Sequence, residues 1–381
     1  MKETPGLVDA HSHLRSTSLE SHGVVGNSVG GNCLEDAILR MNAMTGVDPS
    51  DDAFVASCNL LLSGISSVQV IFHTFGTPDF YLEHLDKTIN GIKKSGIRAR
   101  MILAITDQYE FLPKSVSQDF SFPIFVNPGQ RMTPELFTEV VQEARDRYPD
   151  IALGVGPVAP QWCSDSMMSA IGALSSEGLR VHTHFLESQR QRTWIDESPL
   201  ERLMRFGLLH NKCSLAHSIW LRESDIDQIK ESGAQLVTCP HSNQKLKSGK
   251  VNTAQWIEKE IPYAIGLDSI EVQQSPYAVA LLSLTPEEAE NALTTGGAMA
   301  TDLPADHDRA NWSDWQNGKL SDLSIDGRSV VSDGKLHCHA EYREVSAKIE
   351  SVMEQDRSAR EKRQSELSEL MPSYLETIGA L

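Results

Sequence analysis

The sequence predicts an α/β chain folded as a (β/α)8 barrel, and three observations carry that prediction: recurring short apolar runs, helix-like segments between them, and imidazole and carboxylate side chains at the ends of the runs. The runs are Leu7–His11, Ser67–Phe72, Arg100–Ile105, Ile151–Val155, Leu179–His184, Cys213–His217, Gln235–Cys239 and Tyr263–Leu267. Short continuous apolar runs suit parallel strands buried on both faces. The helix-like segments are clearest at Asp79–Lys94, Pro134–Arg147, Met167–Glu177, Glu223–Glu231 and Thr253–Glu258, and Glu287–Thr295 follows the last run. Several open on Ser, Thr, Asp or Pro, the residues that cap helix N-termini. Such a chain matches a barrel of roughly 250 residues. A doubly wound open sheet would carry a glycine-rich phosphate turn after its first strand, and histidines stand there instead.

From about Thr301 the pattern changes. Ser321–Lys335, with turn signals at Asp326-Gly327 and Asp333-Gly334, reads as a small β element. Glu341–Leu370 is charge-rich and helical, with Val345, Ile349 and Val352 on one side. The expected organisation is a barrel over residues 1–300 and a β element with a helical tail over 301–381. The tail is expected to be a solvated helix packed on the barrel, with a homodimer contact as the alternative. The long interruptions Gly23–Cys33 and Asp107–Thr133 follow the first and third strands, which makes them expected lids at the mouth where barrel enzymes bind substrate.

Composition narrows the function. With 40% hydrophobic and 23% charged residues, the chain has an ordinary globular profile. A net charge of -18 argues against a nucleic-acid or anionic-membrane surface, which needs clustered Lys and Arg, and favours a small-molecule substrate. The first residues run into an apolar strand without a signal-type core, and no apolar stretch approaches membrane-spanning length, so a cytoplasmic protein is expected. Six cysteines without a CxxC pair suggest neither a thiolate zinc site nor a disulfide framework.

The chemistry gathers at the strand ends. In Val8-Asp9-Ala10-His11-Ser12-His13 the two histidines are two residues apart, so in a strand both rings point to one side and can share a metal ion. An HxH pair alone is weak evidence. The fifth run adds His182-Thr183-His184-Phe185-Leu186-Glu187, the sixth ends at His217, and the eighth delivers Asp268. Imidazole and carboxylate donors suit zinc, while iron and manganese are also compatible with them.

These stretches, with Gly156-Pro157-Val158-Ala159-Pro160, Cys239-Pro240-His241-Ser242-Asn243 and Gly266-Leu267-Asp268-Ser269, resemble the amidohydrolase superfamily in family order over residues 5 to about 300. The similarity is to the branch of cytosine deaminase-like and triazine hydrolase-like enzymes and methylthioadenosine/S-adenosylhomocysteine deaminases. The resemblance implies that His11, His13, His184 and Asp268 hold one divalent metal, zinc first, with water in the open position. It implies that Asp268 takes the proton of that water, His217 orients it and stabilises charge, and Glu187 shuttles a proton to the substrate ring nitrogen and the leaving amine. Two-metal relatives use a bridging lysine or acid from strand 4, and Ile151–Val155 has neither, so one metal is expected. His22, His73, Gln161, Trp162 and His241 are weaker candidates for substrate contact, while His182 is read as core packing and Asn243 as a loop brace.

Departures from the family matter. Val158 stands where methylthioadenosine/S-adenosylhomocysteine deaminases carry a substrate-contacting histidine. Most relatives carry a β-sandwich ahead of the first barrel strand and none is read here, so the sandwich is expected to be reduced to the C-terminal β element, supplied by residues outside this sequence, or absent. Adenosine deaminases also lack the sandwich, but their second aspartate is missing, because Ser269 follows Asp268. The expected function is a metal-dependent aminohydrolase, or deaminase, acting through metal-activated water on an amidine-like carbon of a small heterocycle. A related C–N or C–Cl hydrolase of triazine, formimino or adenosine deaminase type is the alternative, and an inactive barrel used as a binding module is the rival from another class.

Overall fold

A computed structural model of the chain describes residues 2–25, 33–74, 76–110, 112–113, 120–126, 132–268 and 275–379. Eight parallel strands pair in sequence order: β1 (Leu7–Ser12), β2 (Ile65–Phe72), β3 (Arg98–Ile105), β4 (Ala152–Pro157), β5 (Arg180–Phe185), β6 (Cys213–His217), β7 (Gln235–Thr238) and β8 (Tyr263–Ile265). A parallel bridge between Ser12 and Asp268 brings the end of β8 back to β1, with Asp268 N–H donating to His11 O at 2.7 Å and His13 N–H to Asp268 O at 2.9 Å. The barrel therefore closes at its C-terminal rim, between two elements that carry candidate ligands. Glycine makes the closure sterically feasible, since a Cβ on Gly266 would sit 2.6 Å from the His11 Cβ and 2.8 Å from the Cys239 Sγ.

Helices cover the strands. Pro134–Arg147 begins after Thr133, whose hydroxyl caps Leu136 N–H, and ends with Arg145 and Arg147 beside the terminal carbonyls. Leu34–Met41 and Pro49–Leu62 were not foreseen. Pro49–Leu62 is buried continuously from Ala53 to Leu61, so its apolar residues form no single stripe and the helical period is invisible in the sequence. The expected helix Glu287–Thr295 is two helices, Pro286–Leu293 and Thr295–Thr301, broken at Thr294.

The small β element recruits the first described residues. Lys2–Thr4 pairs antiparallel with Arg309–Asp314, followed in the sheet by Lys319–Ile325, Arg328–Ser332 and Lys335–Leu336. Its Trp312 is buried, and the indole N–H donates to Thr4 Oγ1 at 3.0 Å. The tail forms two helices. His339–Gln355 buries Val345 and Ile349 and packs on Pro49–Leu62. Arg357–Thr377 runs over Leu34–Met41, where Leu367, Met371, Tyr374 and Leu375 join Leu39 and Ala43 in one apolar cluster. This second helix is more than a solvated cover, because it braces an element that lines the central cavity. Among the described residues no helix is long and apolar enough to cross a membrane.

Candidate metal centre and active site

The ends of β1, β5, β6 and β8 converge on one cluster. His13 Nε2 lies 3.1 Å from His184 Nε2 and 3.3 Å from Asp268 Oδ1, while His11 Nε2 lies 3.5 Å from that same oxygen. Single ligand atoms of His11, His13 and Asp268, and of His11, His184 and His217, all come within 4.8 Å of one another. The backbone turns sharply where it presents these groups: His217 (φ 66°) and Asp268 (φ 60°) both adopt the left-handed conformation that is unfavourable for residues with a Cβ.

Hydrogen bonds behind the rings aim their lone pairs inward. His184 Nδ1–H donates to Val158 O at 2.8 Å, and His217 Nδ1–H donates to Asn243 Oδ1 at 2.8 Å. In each ring Nε2 is left as the acceptor. His11 Nδ1 is 2.7 Å from His182 Nε2, and His182 Nδ1 is 2.8 Å from Ser214 Oγ. With His11 as donor in that pair, its buried Nε2 also presents a lone pair. His11 Nε2 and His217 Nε2 are buried and, among the described residues, have no hydrogen-bond partner.

This donor set fits a divalent cation. Acceptor nitrogens crowded together beside a carboxylate repel one another unless a positive charge lies among them, and three imidazoles plus Asp268 are donors that zinc accepts. Burial lowers the pKa of His11 and takes His13 and His184 well below the ordinary histidine value, keeping the rings neutral and able to ligate. Burial works to raise Asp268, but His11 and His13 outweigh it and hold the carboxylate well below its usual range. The described strand β4 contributes neither lysine nor acid.

Asp9 completes the support. Its Oδ1 accepts from His11 N–H at 3.1 Å and Leu267 N–H at 2.9 Å, tying β1 to the segment that leads to Asp268. Burial pushes this carboxyl up to about 8 despite those two hydrogen bonds.

A cavity of about 340 Å³ opens beside the cluster, lined by His13, His184, Glu187, His217 and Asp268 on the polar side. Glu187 is buried, with Oε2 3.5 Å from His217 Nε2, and burial pushes its carboxyl up to about 7 against the lowering pull of His217. Trp162 and Leu34, Ile38 and Met41 of helix Leu34–Met41 supply apolar wall. Val158 is also on the wall, packed with Ile71 and Trp162, so it offers the cavity an apolar surface while its carbonyl holds the His184 ring.

The candidate substrate contacts divide. His73 and Trp162 line the cavity, and burial lowers the pKa of His73 to about 4. His22 does not reach it: Thr17 Oγ1 lies 2.8 Å from its Nε2, and Thr45 N–H donates to its Nδ1 at 3.2 Å, so the ring ties two loop segments together. Gln161 faces a separate cleft with Tyr109 and Arg202. His241 sits half-buried on the short helix Pro240–Lys245, outside the cavity wall. A residue adjacent in sequence to the site is turned away whenever the loop backbone rotates, and sequence proximity does not report that rotation. Parts of both expected lids, 26–32, 111, 114–119 and 127–131, lie outside the described residues, while Glu110 lines the cavity.

Sequence reasoning missed Asp9, the hydrogen bond that His11 donates to His182, and the acceptor role of Asn243 toward His217. The available signals were an acid two residues before His11 and a second histidine two residues before His184.

Residues 4–307 match the amidohydrolase family. The chain belongs to that family. A 5'-deoxyadenosine deaminase of Methanothermobacter thermautotrophicus is 24% identical across 87% of this chain and 82% of its own. A 5-methylthioadenosine/S-adenosylhomocysteine deaminase of Nitratidesulfovibrio vulgaris is 26% identical across 69% of this chain and 55% of its own. The zinc-complexed atrazine chlorohydrolase of Arthrobacter aurescens shares the fold, with a TM-score of 0.72 at 17% identity, over 92% of this chain and 88% of that one.

Proposed function

We propose that this amidohydrolase is a mononuclear metal-dependent aminohydrolase that removes ammonia from an amidine-like carbon of a small heterocycle. The observation that carries the reading is the pairing of a candidate metal cluster with a buried Glu187–His217 couple on one cavity wall. His11, His13, His184 and Asp268 would hold the cation, zinc before iron or manganese. When bound, such a cation supplies a Lewis acid and lowers the pKa of water to about 7.

The chain's own residues do the rest. Asp268 accepts the proton of the attacking water. His217, held by Asn243 as the Nδ1–H tautomer, keeps Nε2 toward the reacting centre and orients that water. Glu187 gives a proton to the ring nitrogen next to the reacting carbon, receives the one Asp268 took from water and passes it to the departing amine, and is reprotonated as the substrate hydroxyl becomes a carbonyl, a role that suits a carboxyl poised near neutrality. Trp162 and the apolar face of Leu34–Met41 shelter a flat ring and exclude bulk water. The 5'-deoxyadenosine deaminase relative, matched across most of both chains, favours an aminopurine-type ring within this class.

An ammonia-release assay over purines, pterins, pyrimidines and triazines, on protein of known metal content, tests the proposal. One metal per chain with ammonia from an amino-substituted ring is expected. Two metals per chain, or release of chloride or an alkylamine in place of ammonia, would overturn it.

A further inference from the structure

Arg15 lines the cavity, has no part in the chemistry above, and forms no ion pair among the described residues. It stands two residues after His13, beyond Leu14, whose left-handed backbone (φ 52°) takes the chain out of the strand direction. It borders the same space as His13, Glu187 and Asp268. A guanidinium offers five N–H donors, yet the side-chain hydrogen bond Arg15 makes is from Nη1 to Met41 Sδ at 3.6 Å, and a thioether is a weak acceptor.

The carboxylates that act on Arg15 electrostatically are Asp52 and Asp268, and both are committed elsewhere. Asp52 Oδ1 accepts the backbone N–H of Ser16 at 2.7 Å and its hydroxyl at 2.5 Å, while Asp268 faces His11 and His13. Among the described residues, no ion pair forms at Arg15. A cation partly withdrawn from water without a partner is strongly unfavourable, and a planar guanidinium fork in a substrate cavity matches the two oxygens of a carboxylate.

We propose that Arg15 is a specificity-determining residue that binds a carboxylate substituent on the heterocycle. The inference rests on the aminohydrolase reading for its substrate class and on the cavity geometry for its charge. A carboxylate held by Arg15 orients the ring so that its amino-bearing carbon faces His13, Glu187 and Asp268.

The test compares matched pairs, pterin with pterin-6-carboxylate and cytosine with 5-carboxycytosine, using wild-type enzyme, Arg15→Gln and Arg15→Lys after metal content has been measured. Ammonia release yields kcat and KM, and calorimetry yields Kd whether or not turnover occurs. Wild type is expected to favour at least one carboxylate member by tenfold or more. R15Q should abolish that preference through KM and Kd, and R15K should restore part of it. Equal weakening of both members by R15Q, no preference in wild type, or no binding of either carboxylate would overturn the proposal. A Kd preference that R15Q removes, with no ammonia from any ring, would sink the aminohydrolase reading and leave the carboxylate site standing.

Discussion

Replacing His182 with phenylalanine tests whether a fully buried histidine outside the metal cluster sets the state of His11. Two contacts are lost: the 2.7 Å contact to His11 Nδ1 and the 2.8 Å contact to Ser214 Oγ. Ser214 Oγ keeps a donor, Gln69 Nε2 at 3.3 Å, whereas no other hydrogen bond to His11 Nδ1 is present among the described residues. His11 is then free to carry its proton on Nε2, where it cannot ligate. Removing such a supporting partner typically weakens metal binding about 10- to 100-fold, or about 1.4–2.7 kcal/mol. Phenylalanine preserves ring volume, so packing loss is small beside that figure. Chelator competition against zinc-loaded protein measures the change, with His182→Gln as a partial rescue because its carbonyl can accept from His11. An unchanged metal affinity in a folded H182F protein would refute the claim that His182 fixes the His11 tautomer.

Glu187→Gln keeps size and hydrogen bonding but carries no proton, so kcat should fall about 10²- to 10⁴-fold with metal retained, and loss of metal or near-normal turnover would contradict the shuttle. Replacing His11 and His13 together with alanine should abolish metal retention and activity in elemental analysis and ammonia assay, while exposed His339→Ala should change neither. Asn243→Leu removes the acceptor that holds His217 and should lower kcat about 10- to 100-fold, with metal content preserved. Ending the chain after Gln355 uncovers Leu39 and Ala43 and removes the Arg40 to Ser368 and Gln364 to Arg40 hydrogen bonds, so helix Leu34–Met41 should loosen and KM rise in steady-state kinetics without loss of metal.

Strands and their order were legible because a parallel barrel needs short runs buried on both faces, and helices such as Pro134–Arg147 because capping and amphipathic spacing are local properties. Pro49–Leu62 was hidden by its own burial, and the pairing of Lys2–Thr4 with Arg309–Asp314 by the distance along the chain between the partners. Residues whose position is set by a strand end, His11, His13, His184, His217 and Asp268, could be named in advance, because strand periodicity and the barrel rule aim them at one mouth. Loop residues such as His22 and His241 could not be placed, since a few backbone rotations decide between cavity and brace.

The amino-acid sequence by itself therefore determined the barrel, the strand ends that carry chemistry and the acidic character of the surface, all of which follow from residue type and short-range spacing. Only the tertiary structure decided that His182 and Asn243 orient the rings, that Asp9 ties β1 to the approach to Asp268, and that the last helix braces the cavity wall. Each of those is a contact between groups far apart in the chain, or between neighbouring strands whose register local pattern does not specify, and hydrogen bonding across such gaps is a property of packing.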